Sequence, residues 1–567
     1  MKKLINSPET VVEDMLQGLV AIYPNLARLA QHPVLLRADT GETRDSQVQL
    51  ISGGGSGHEP AHAGYIGAGM LSAAVAGEVF TSPPSASVLA AIKAVAGKPG
   101  VLLIVKNYTG DRLNFGVAAE IARADGTPIE TVLVSDDVAL TATEDRAAGR
   151  GLAGTVLVHK IAGAAAAAGK TLAEVAAVAR HASRNIATMG LSLSAGTVPA
   201  IGKQSYLLAD DEVEFGLGIH GEPGVQRTLL KPADDLAKQL LERLLSRYPL
   251  SPGDRIAVLI NNLGGTTNME LAIFARKALS LLRNRSAIVE RVYSGAFVTS
   301  LEAAGISLSL LRLNDELLRY LDAPTLAPAW PHTLPLQPTP PRDRVLVSKA
   351  LRDSIRQPAR KLPNNGLQLA IQAACGALVA AEAQLTELDL VVGDGDLGLS
   401  LSRGAKSVDE ALPTYPLDNA FETLKAIGLT LQETVGGSSG PLYGVLFLRA
   451  ATALQVAGPD PAAWTHACFA ACEAIGALGG ASPGDRTMLD ALLPFAHALQ
   501  TAIAKGESAA AAARTAVTAA DAAAQATAQM TPKRGRASYL AERAIGHPDP
   551  GAVAVVIWLR AVAESIL

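Results

Sequence analysis

Three stretches of the chain gather residue types that can bind and activate a small polar molecule. Residues 52–62 read SGGGSGHEPAH. Four glycines let backbone amides come close to a small ligand, and His58 and His62 are set among them. No Gly-Lys-Ser/Thr phosphate loop and no GxGxxG fingerprint is present; taken alone, the run also reads as a tight strand-to-helix turn. Residues 101–116, VLLIVKNYTGDRLNFG, place Lys106 and Asp111 just past an apolar run. That is the carboxyl end of a strand, where ligands collect in open α/β sheets; an ordinary surface ion pair is the competing reading. In residues 215–224, FGLGIHGEPG, His220 is framed by close glycines and a Gly-Glu-Pro-Gly turn. A lone histidine is more often structural than catalytic, but this one has little side-chain packing to serve.

A second constellation is acidic. Residues 388–398, LDLVVGDGDLG, hold Asp389, Asp394 and Asp396, and their glycines allow turns that bring carboxylates to one point. Three unpaired carboxylates repel, and a divalent cation relieves the repulsion. Magnesium fits, because it takes hard oxygen ligands and shares its sphere with water and phosphates. An acidic loop whose last aspartate caps the next helix is the alternative. Residues 433–440, ETVGGSSG, can offer amides and the Ser438 and Ser439 hydroxyls to phosphate oxygens at a helix N-terminus. A helix junction needing close packing would look the same. GDRTM at 484–488 opens another helix, and GRASYLAERAIGHPDPG at 535–551 precedes the last one.

These residues need scaffolds of two kinds. At 567 residues the chain exceeds one hydrophobic core, and two to four domains are expected. A proline-rich run at 323–342, APTLAPAWPHTLPLQPTPPR, reads as an extended linker. We divide the chain into an α/β half over 1–325, a linker over 326–344 and an all-helical domain over 345–567. In the first half, runs at 101–105, 131–134, 256–260 and 287–292 are the strand candidates. A helix at 151–180 and a glycine-rich loop at 190–202 suggest two α/β subdomains. In the second half alanine, leucine and glutamate recur at helical period, and the alanine-rich tract at 509–529 is read as a bundle helix.

Bulk properties exclude several classes. Hydrophobic residues make up 49% and charged residues 18%, a globular rather than disordered composition. The net charge is -4 with no basic run, so nucleic acid is not an expected partner. Three cysteines without ligand spacing argue against a disulfide framework and for a reducing cytoplasm. The polar start lacks the apolar core of a signal peptide, and no stretch has the roughly 20 apolar residues of a membrane span.

The first three segments strongly resemble the substrate-binding domain of the dihydroxyacetone kinase family over most of residues 1–330. The later segments resemble its helical nucleotide-binding domain over roughly 345–567. The resemblance implies that His220 forms a covalent hemiaminal with the substrate carbonyl and that Gly55, Ser56, Gly57 and His58 contact the triose. Lys106 and Asp111 match the remaining substrate-contacting pair. It further implies that Asp389, Asp394 and Asp396 hold two magnesium ions bridging the ATP phosphates. The nucleotide would be lined by Asp394, Gly395, Asp396, Leu397, Ser438, Ser439, Gly479, Thr487, Met488, Asp549, Pro550 and Gly551. Leu397 and Ser400 depart from the family pattern, where many relatives carry polar residues or asparagine.

The implied chemistry is coherent. An imidazole nitrogen adds to a ketone and not to an alcohol, so a tether selects dihydroxyacetone over glycerol. Asp111 is suited to take the proton of the attacking hydroxyl, with Lys106 and His58 holding hydroxyls by hydrogen bonds. The fused arrangement resembles relatives that use free ATP. The expected activity is ATP-dependent phosphorylation of dihydroxyacetone by a homodimer. Another short ketose or glyceraldehyde, cyclising FAD-AMP lyase activity and a non-catalytic triose sensor are the alternatives.

Overall fold

Uninterrupted runs of β-branched and leucine side chains become strands buried on both faces, as in Val101–Lys106, where every residue is buried. The computed structural model describes residues 2–139, 149–204, 206–222, 224–331, 366–393, 395–435, 438–457, 460–534, 538 and 544–566. Two units are formed, Met1–Arg342 and Asp343–Leu567. In the first unit, one sheet holds β1 (Leu26–Arg28), β2 (Val34–Arg37), β3 (Gln49–Ser56), β4 (Ala73–Val79), β5 (Val101–Lys106) and β6 (Ile129–Val134). Their order is β1-β2-β4-β3-β5-β6, a parallel core with an antiparallel edge. The other sheet begins with β7 (Ile186–Ser192) and, past the ribbon β8 (Thr197–Val198) and β9 (Lys203–Gln204), adds β10 (Glu212–Phe215) and β11 (Gln226–Leu229). It is completed by β12 (Arg255–Asn262), β13 (Ile288–Gly295) and β14 (Gly305–Arg312). The order is β11-β10-β7-β14-β12-β13, antiparallel except between β12 and β13.

The two sheets share one core. Leu50, Leu102 and Ile104 of the first and Ala257, Leu259 and Leu311 of the second pack on the helices Thr155–Ala167 and Leu172–Arg184. The outer face of the first sheet is covered by Ser85–Val95 and Thr109–Ala124, that of the second by Ala233–Arg247 and Asn268–Asn284. The result is helix, sheet, helix, sheet, helix. The two α/β halves are therefore built around a common central layer.

The segment expected as a single helix at 151–180 is two. The second, Leu172–Arg184, opens on a Thr171–Glu174 capping box. The glycine-rich run after Leu50 stays in the sheet as far as Ser56, where a turn had been one expectation. Its backbone is crowded: a Cβ at Gly55 would sit 2.6 Å from the Thr81 amide nitrogen. Of the proline-rich stretch, the part described is docked on the first unit. Leu326 N–H donates to the Ala68 carbonyl at 3.0 Å, Ala329 N–H to Gly64 at 2.9 Å, and Trp330 is buried. Residues 332–365 lie outside the described residues.

In the second unit the described elements are all helical. Short connections join Ala420–Thr434 to Ser439–Ala457, Pro461–Gly479 and, in turn, Leu489–Ala504 and Ala509–Ala526, so packed neighbours run antiparallel. The last helix, Pro550–Ser565, packs on Gly366–Ala380 and closes the ring. Among the described residues no single helix is long and apolar enough to cross a membrane.

The central helix Thr155–Ala167 is buried from Thr155 to Ala166, which suits its alanine-rich sequence. Lys160 is its charged exception. The Nζ donates to the Tyr320 carbonyl at 2.7 Å, and burial pulls the ammonium down to about 8 against the attraction of Asp322. An unfolded lysine titrates near 10.4, so between those values the unfolded chain holds more protons and stability rises with pH. Wild-type protein should gain stability relative to Lys160→Met as pH goes from about 8 to about 10, with a slope up to ~1.4 kcal/mol per pH unit. Parallel pH dependences in urea unfolding would contradict this environment for Lys160.

Candidate active site

The carboxyl ends of β3 and β5 deliver the first set of residues to one cleft. His58 follows β3 and is fully buried; its Nδ1–H donates to the Thr299 carbonyl at 2.7 Å, which leaves Nε2 as an acceptor without a protein partner among the described residues. Lys106 ends β5, also fully buried, and its Nζ likewise has no hydrogen-bond partner there. Asp111 lies in the first turn of Thr109–Ala124 and accepts a hydrogen bond from the Ser82 hydroxyl. Gly54 gives the spacing. The point where its Cβ would stand is 3.1 Å from Lys106 Nζ and 3.4 Å from Asp111 Oδ2.

His220 enters from the second sheet, on the loop joining β10 to β11. Its ring meets those of His58 at 4.8 Å, Tyr108 at 4.6 Å and Phe80 at 5.4 Å, edge to face. Its Nδ1 lies 2.9 Å from Glu222 Oε1, and its backbone N–H donates to Oε2 of the same carboxylate at 3.0 Å. Thus His58, Lys106, Asp111 and His220, distant in sequence, are brought together. Two loop positions are engaged otherwise: the Ser56 hydroxyl donates to Gly77 at 2.7 Å, and the Gly57 amide donates to Glu59 at 3.1 Å. His62 lies apart from the four. Its Nδ1 is 3.3 Å from the Ser52 hydroxyl and its ring is 5.2 Å from that of His159.

Burial shapes the charges. It lowers His58 well below the usual imidazole range, and Lys106 and His220 add to the effect. Burial also lowers Lys106, opposed by Asp111, Glu222, Glu59 and Asp136. Burial raises the Glu222 carboxyl, but the hydrogen bond and charge of His220 outweigh it and hold the group at about 2. The cleft therefore offers a neutral acceptor imidazole, a compensated ammonium, a carboxylate and a second imidazole.

In the helical unit the acidic segment straddles a helix junction. Asp389 is in Glu382–Val392, and its Oδ2 accepts from the Leu397 amide at 3.3 Å. Asp396 stands at the N-cap of Leu397–Ala411, yet its side chain makes no cap bond, so capping does not account for it. Gly395 and Leu397 flank it; Asp394 lies outside the described residues. Ser438 and Ser439 open the helix Ser439–Ala457, and Gly479 faces that helix, where an added Cβ would stand 3.5 Å from Leu442 Cδ2. Thr487 N–H donates to Asp490 Oδ2 at 2.8 Å, and a Cβ added at Gly551 would stand 3.7 Å from the Met488 Cβ. Asp549 caps Pro550–Ser565 through the Ala552 amide at 2.8 Å. Burial raises its carboxyl to about 6, and Asp490 and Asp389 push the same way.

This gathers carboxylates and the N-termini of several helices at one end of the bundle. Hard oxygen donors near positive helix ends suit a divalent cation bridging phosphates. Among the described residues no cluster of three His, Cys, Asp or Glu side chains is placed to hold a metal, and Asp389 and Asp396 would need Asp394 to complete the set.

Sequence reasoning passed over Glu222, Tyr108, Thr299 and Arg486. Glu222 was visible inside GEPG but read as part of a turn. Arg486, within GDRTM, is buried and donates to the carbonyls of Thr527, Ala544 and His547 at 3.2, 3.0 and 2.7 Å, pinning the approach to Asp549. Tyr108 and Thr299 carry no local signal, because their roles depend on the other sheet.

Residues 17–329 match the Dak1 domain and residues 391–564 the DAK2 domain. The chain is 44% identical over 574 residues to triokinase/FMN cyclase of Homo sapiens, covering 100% of this chain and 99% of the relative. It is 36% identical over 576 residues to D-erythrulose kinase of Mycolicibacterium smegmatis, covering 100% and 99%. The dihydroxyacetone kinase of C. freundii, solved in complex with AMP-PNP and Mg2+, superposes with a TM-score of 0.63 at 35% identity, covering 100% of this chain and 99% of that one.

The His58 geometry makes one prediction. Nitrogen-15 spectra of histidine-labelled protein should show His58 neutral and protonated at Nδ1 throughout about pH 5 to 8, where an unperturbed imidazole titrates. A midpoint near 6.5 would mean that the cleft is wetter than this packing implies.

Proposed function

The chain belongs to the fused two-domain dihydroxyacetone kinase family, and from that premise we propose that it transfers the γ-phosphoryl group of ATP to a terminal hydroxyl of dihydroxyacetone. The convergence of His58, Lys106, Asp111 and His220 on one buried cleft carries this reading. His220 Nε2 adds to the ketone carbon and tethers it. Lys106 and His58 hold the substrate oxygens, and Asp111 takes the proton of the hydroxyl that attacks phosphorus. The glycine-rich end of β3 shapes the floor.

In the helical unit Asp389, Asp394 and Asp396 would hold magnesium, which when bound offsets the charge of the transferring phosphates. Ser438, Ser439 and Gly479 would cradle phosphate, with Thr487, Met488 and the 549–551 turn lining the nucleotide. Retained Asp389 and Asp396 favour catalysis over mere triose sensing. The family resemblance supports a cytoplasmic homodimer built through the α/β units.

A second reading, carried by the family resemblance, is that the helical site would also cyclise FAD with release of AMP; the human relative's name, triokinase/FMN cyclase, is in keeping with a cyclase activity. Incubation with FAD and manganese tests it. The D-erythrulose kinase relative widens the ketose choice, and rates on dihydroxyacetone, erythrulose and glyceraldehyde with MgATP will rank them.

Asp389→Ala and Asp396→Ala should each cut phosphoryl transfer at least about 100-fold, a loss of several kcal/mol at the transition state, and leave ketone binding by the α/β unit unchanged. Calorimetric titration with dihydroxyacetone beside a coupled kinase assay separates the two effects. Full turnover in both variants would place the metal elsewhere.

A further inference from the structure

The geometry points to Glu222 as the positioning residue that makes His220 a nucleophile, by holding its imidazole protonated at Nδ1 with the Nε2 lone pair free for a ketone carbon. The inference rests on the ketone-tethering reading above and deepens it at a residue that reading did not use.

One carboxylate grips His220 at two points: Oε1 takes the ring Nδ1 at 2.9 Å and Oε2 takes the backbone N–H at 3.0 Å. A carboxylate only accepts, so the ring proton facing Glu222 is on Nδ1, and in the neutral imidazole the lone pair is then on Nε2. The two contacts together fix both the tautomer and the ring rotation, since a flip about χ2 breaks the ring bond while the backbone bond keeps the carboxylate in place. The same logic orients ligating histidines in metal sites, where the far nitrogen is set by an acceptor behind the ring.

The local sequence is built around this pair. A Cβ at Gly218 would stand 2.0 Å from Glu222 Oε2 and 2.7 Å from Arg150 Nη1, so glycine leaves the volume that the carboxylate occupies. Arg150 secures the base of the loop: Nη2 donates to the Gly216 carbonyl at 2.6 Å, and Nε donates to Asp137 Oδ2 at 2.6 Å. Asp137 in turn accepts from the Ala139 amide at 2.9 Å. Tyr108, Phe80 and His58 surround the imidazole on its other sides.

In the addition step the Nε2 lone pair forms the N–C bond and the carbonyl π pair moves to oxygen, which takes a proton from water. Positive charge builds on the ring, and the Nδ1 proton moves along the hydrogen bond toward Glu222 and is released to water. One proton is gained and one lost, with no oxidant or reductant. Glu222 therefore favours the adduct by stabilising a charge that appears only as the bond forms.

The test uses full-length protein, Glu222→Gln and Glu222→Asp, with carbonyl-labelled [2-13C]dihydroxyacetone, and His220→Ala as the adduct-free reference. In Glu222→Gln the amide keeps the shape but can donate to Nδ1 as readily as accept, so histidine 15N spectra should show His220 shifting from the Nδ1–H form to a mixture. The bound tetrahedral carbon signal should weaken, with the apparent ketone affinity falling about 10- to 100-fold, while AMP-PNP binding by the helical unit is unchanged. Glu222→Asp, which retains an acceptor on a shorter stem, should keep the Nδ1–H form and recover part of the adduct. An unchanged tautomer and an unchanged adduct in Glu222→Gln overturn the assignment. If wild type forms no adduct but Glu222→Gln still alters the tautomer, the tether fails and the positioning role stands.

Discussion

Residues on the two sides of the candidate cleft belong to different sheets, and a short seam of hydrogen bonds sets their separation. The Gly57 carbonyl accepts from the Leu301 amide at 2.7 Å, the His58 carbonyl from the Thr299 amide at 3.2 Å, and His58 Nδ1–H donates back to the Thr299 carbonyl at 2.7 Å. The Thr299 hydroxyl adds a bond to the Glu59 carbonyl at 2.9 Å. Behind the seam, the buried Asn261 amide accepts from Phe297 and Val298 and donates to the Val298 carbonyl at 2.7 Å, so the turn after β13 cannot sag. Each bond contributes only about 1 kcal/mol net, but each unmade one costs about 1 to 3 kcal/mol in a buried place. The seam therefore closes as a unit and ties the β3 end to the second sheet, which also carries the His220 loop. The tether proposed for His220 would need that constancy to within about 0.5 Å.

With the walls fixed, the cleft can keep polar groups unpaired. His58 Nε2, Lys106 Nζ and the Tyr108 hydroxyl are buried without a partner among the described residues. At about 1 to 3 kcal/mol each, three such groups weigh heavily against a typical stability of about 5 to 15 kcal/mol. Their surroundings keep the arrangement in place. Phe80 stacks on His58 at 5.1 Å, and the carboxylates around Lys106 offset part of its burial. A molecule with three oxygens and no bulk can satisfy several of these groups at once. Interactions of that kind are pre-arranged and need little reorganisation when the ligand arrives.

How much of this was legible in the sequence depended on whether the signal was local. Strands β5, β6, β12 and β13 were among the candidates, and β5 shows why, because burial on both faces requires an unbroken apolar run such as VLLIVK. His220 stood out as well, because its flanking glycines offer the imidazole no packing partner within its own segment; the rings that surround it come from elsewhere in the chain. The strand character of SGGGS was not legible: glycine disfavours strands in general, and only the crowding of Phe80 and Thr81, in the turn after β4, against Gly55 explains why it is kept there. Glu222 was hidden by its own motif, since a Gly-Glu-Pro-Gly turn gives the residue a sufficient structural role until the ring of His220 is seen against it. The shared central layer was out of reach because an alanine-rich helix buried on every side carries no stripe that says which sheets enclose it.

The helical unit follows a different physics, and the contrast explains why one chain carries two scaffolds. Selecting a ketone calls for fixed, largely dehydrated groups whose protonation is set by burial, which a layered α/β core supplies. Holding phosphates calls for concentrated positive potential, and the described end of the bundle offers it through helix starts at Leu397, Ser439, Leu489 and Pro550. The aspartates there work against that potential, and a cation of the kind proposed above would relieve the opposition. Asp549, raised by burial and further by Asp490 and Asp389, records the conflict, while Arg486 fixes the neighbouring carbonyls so that it is not relieved by the loop drifting apart. An arrangement that is electrostatically incomplete alone and completed by a cation with its phosphates is one that binds them together, and a flat arrangement of compensated ion pairs would bind neither.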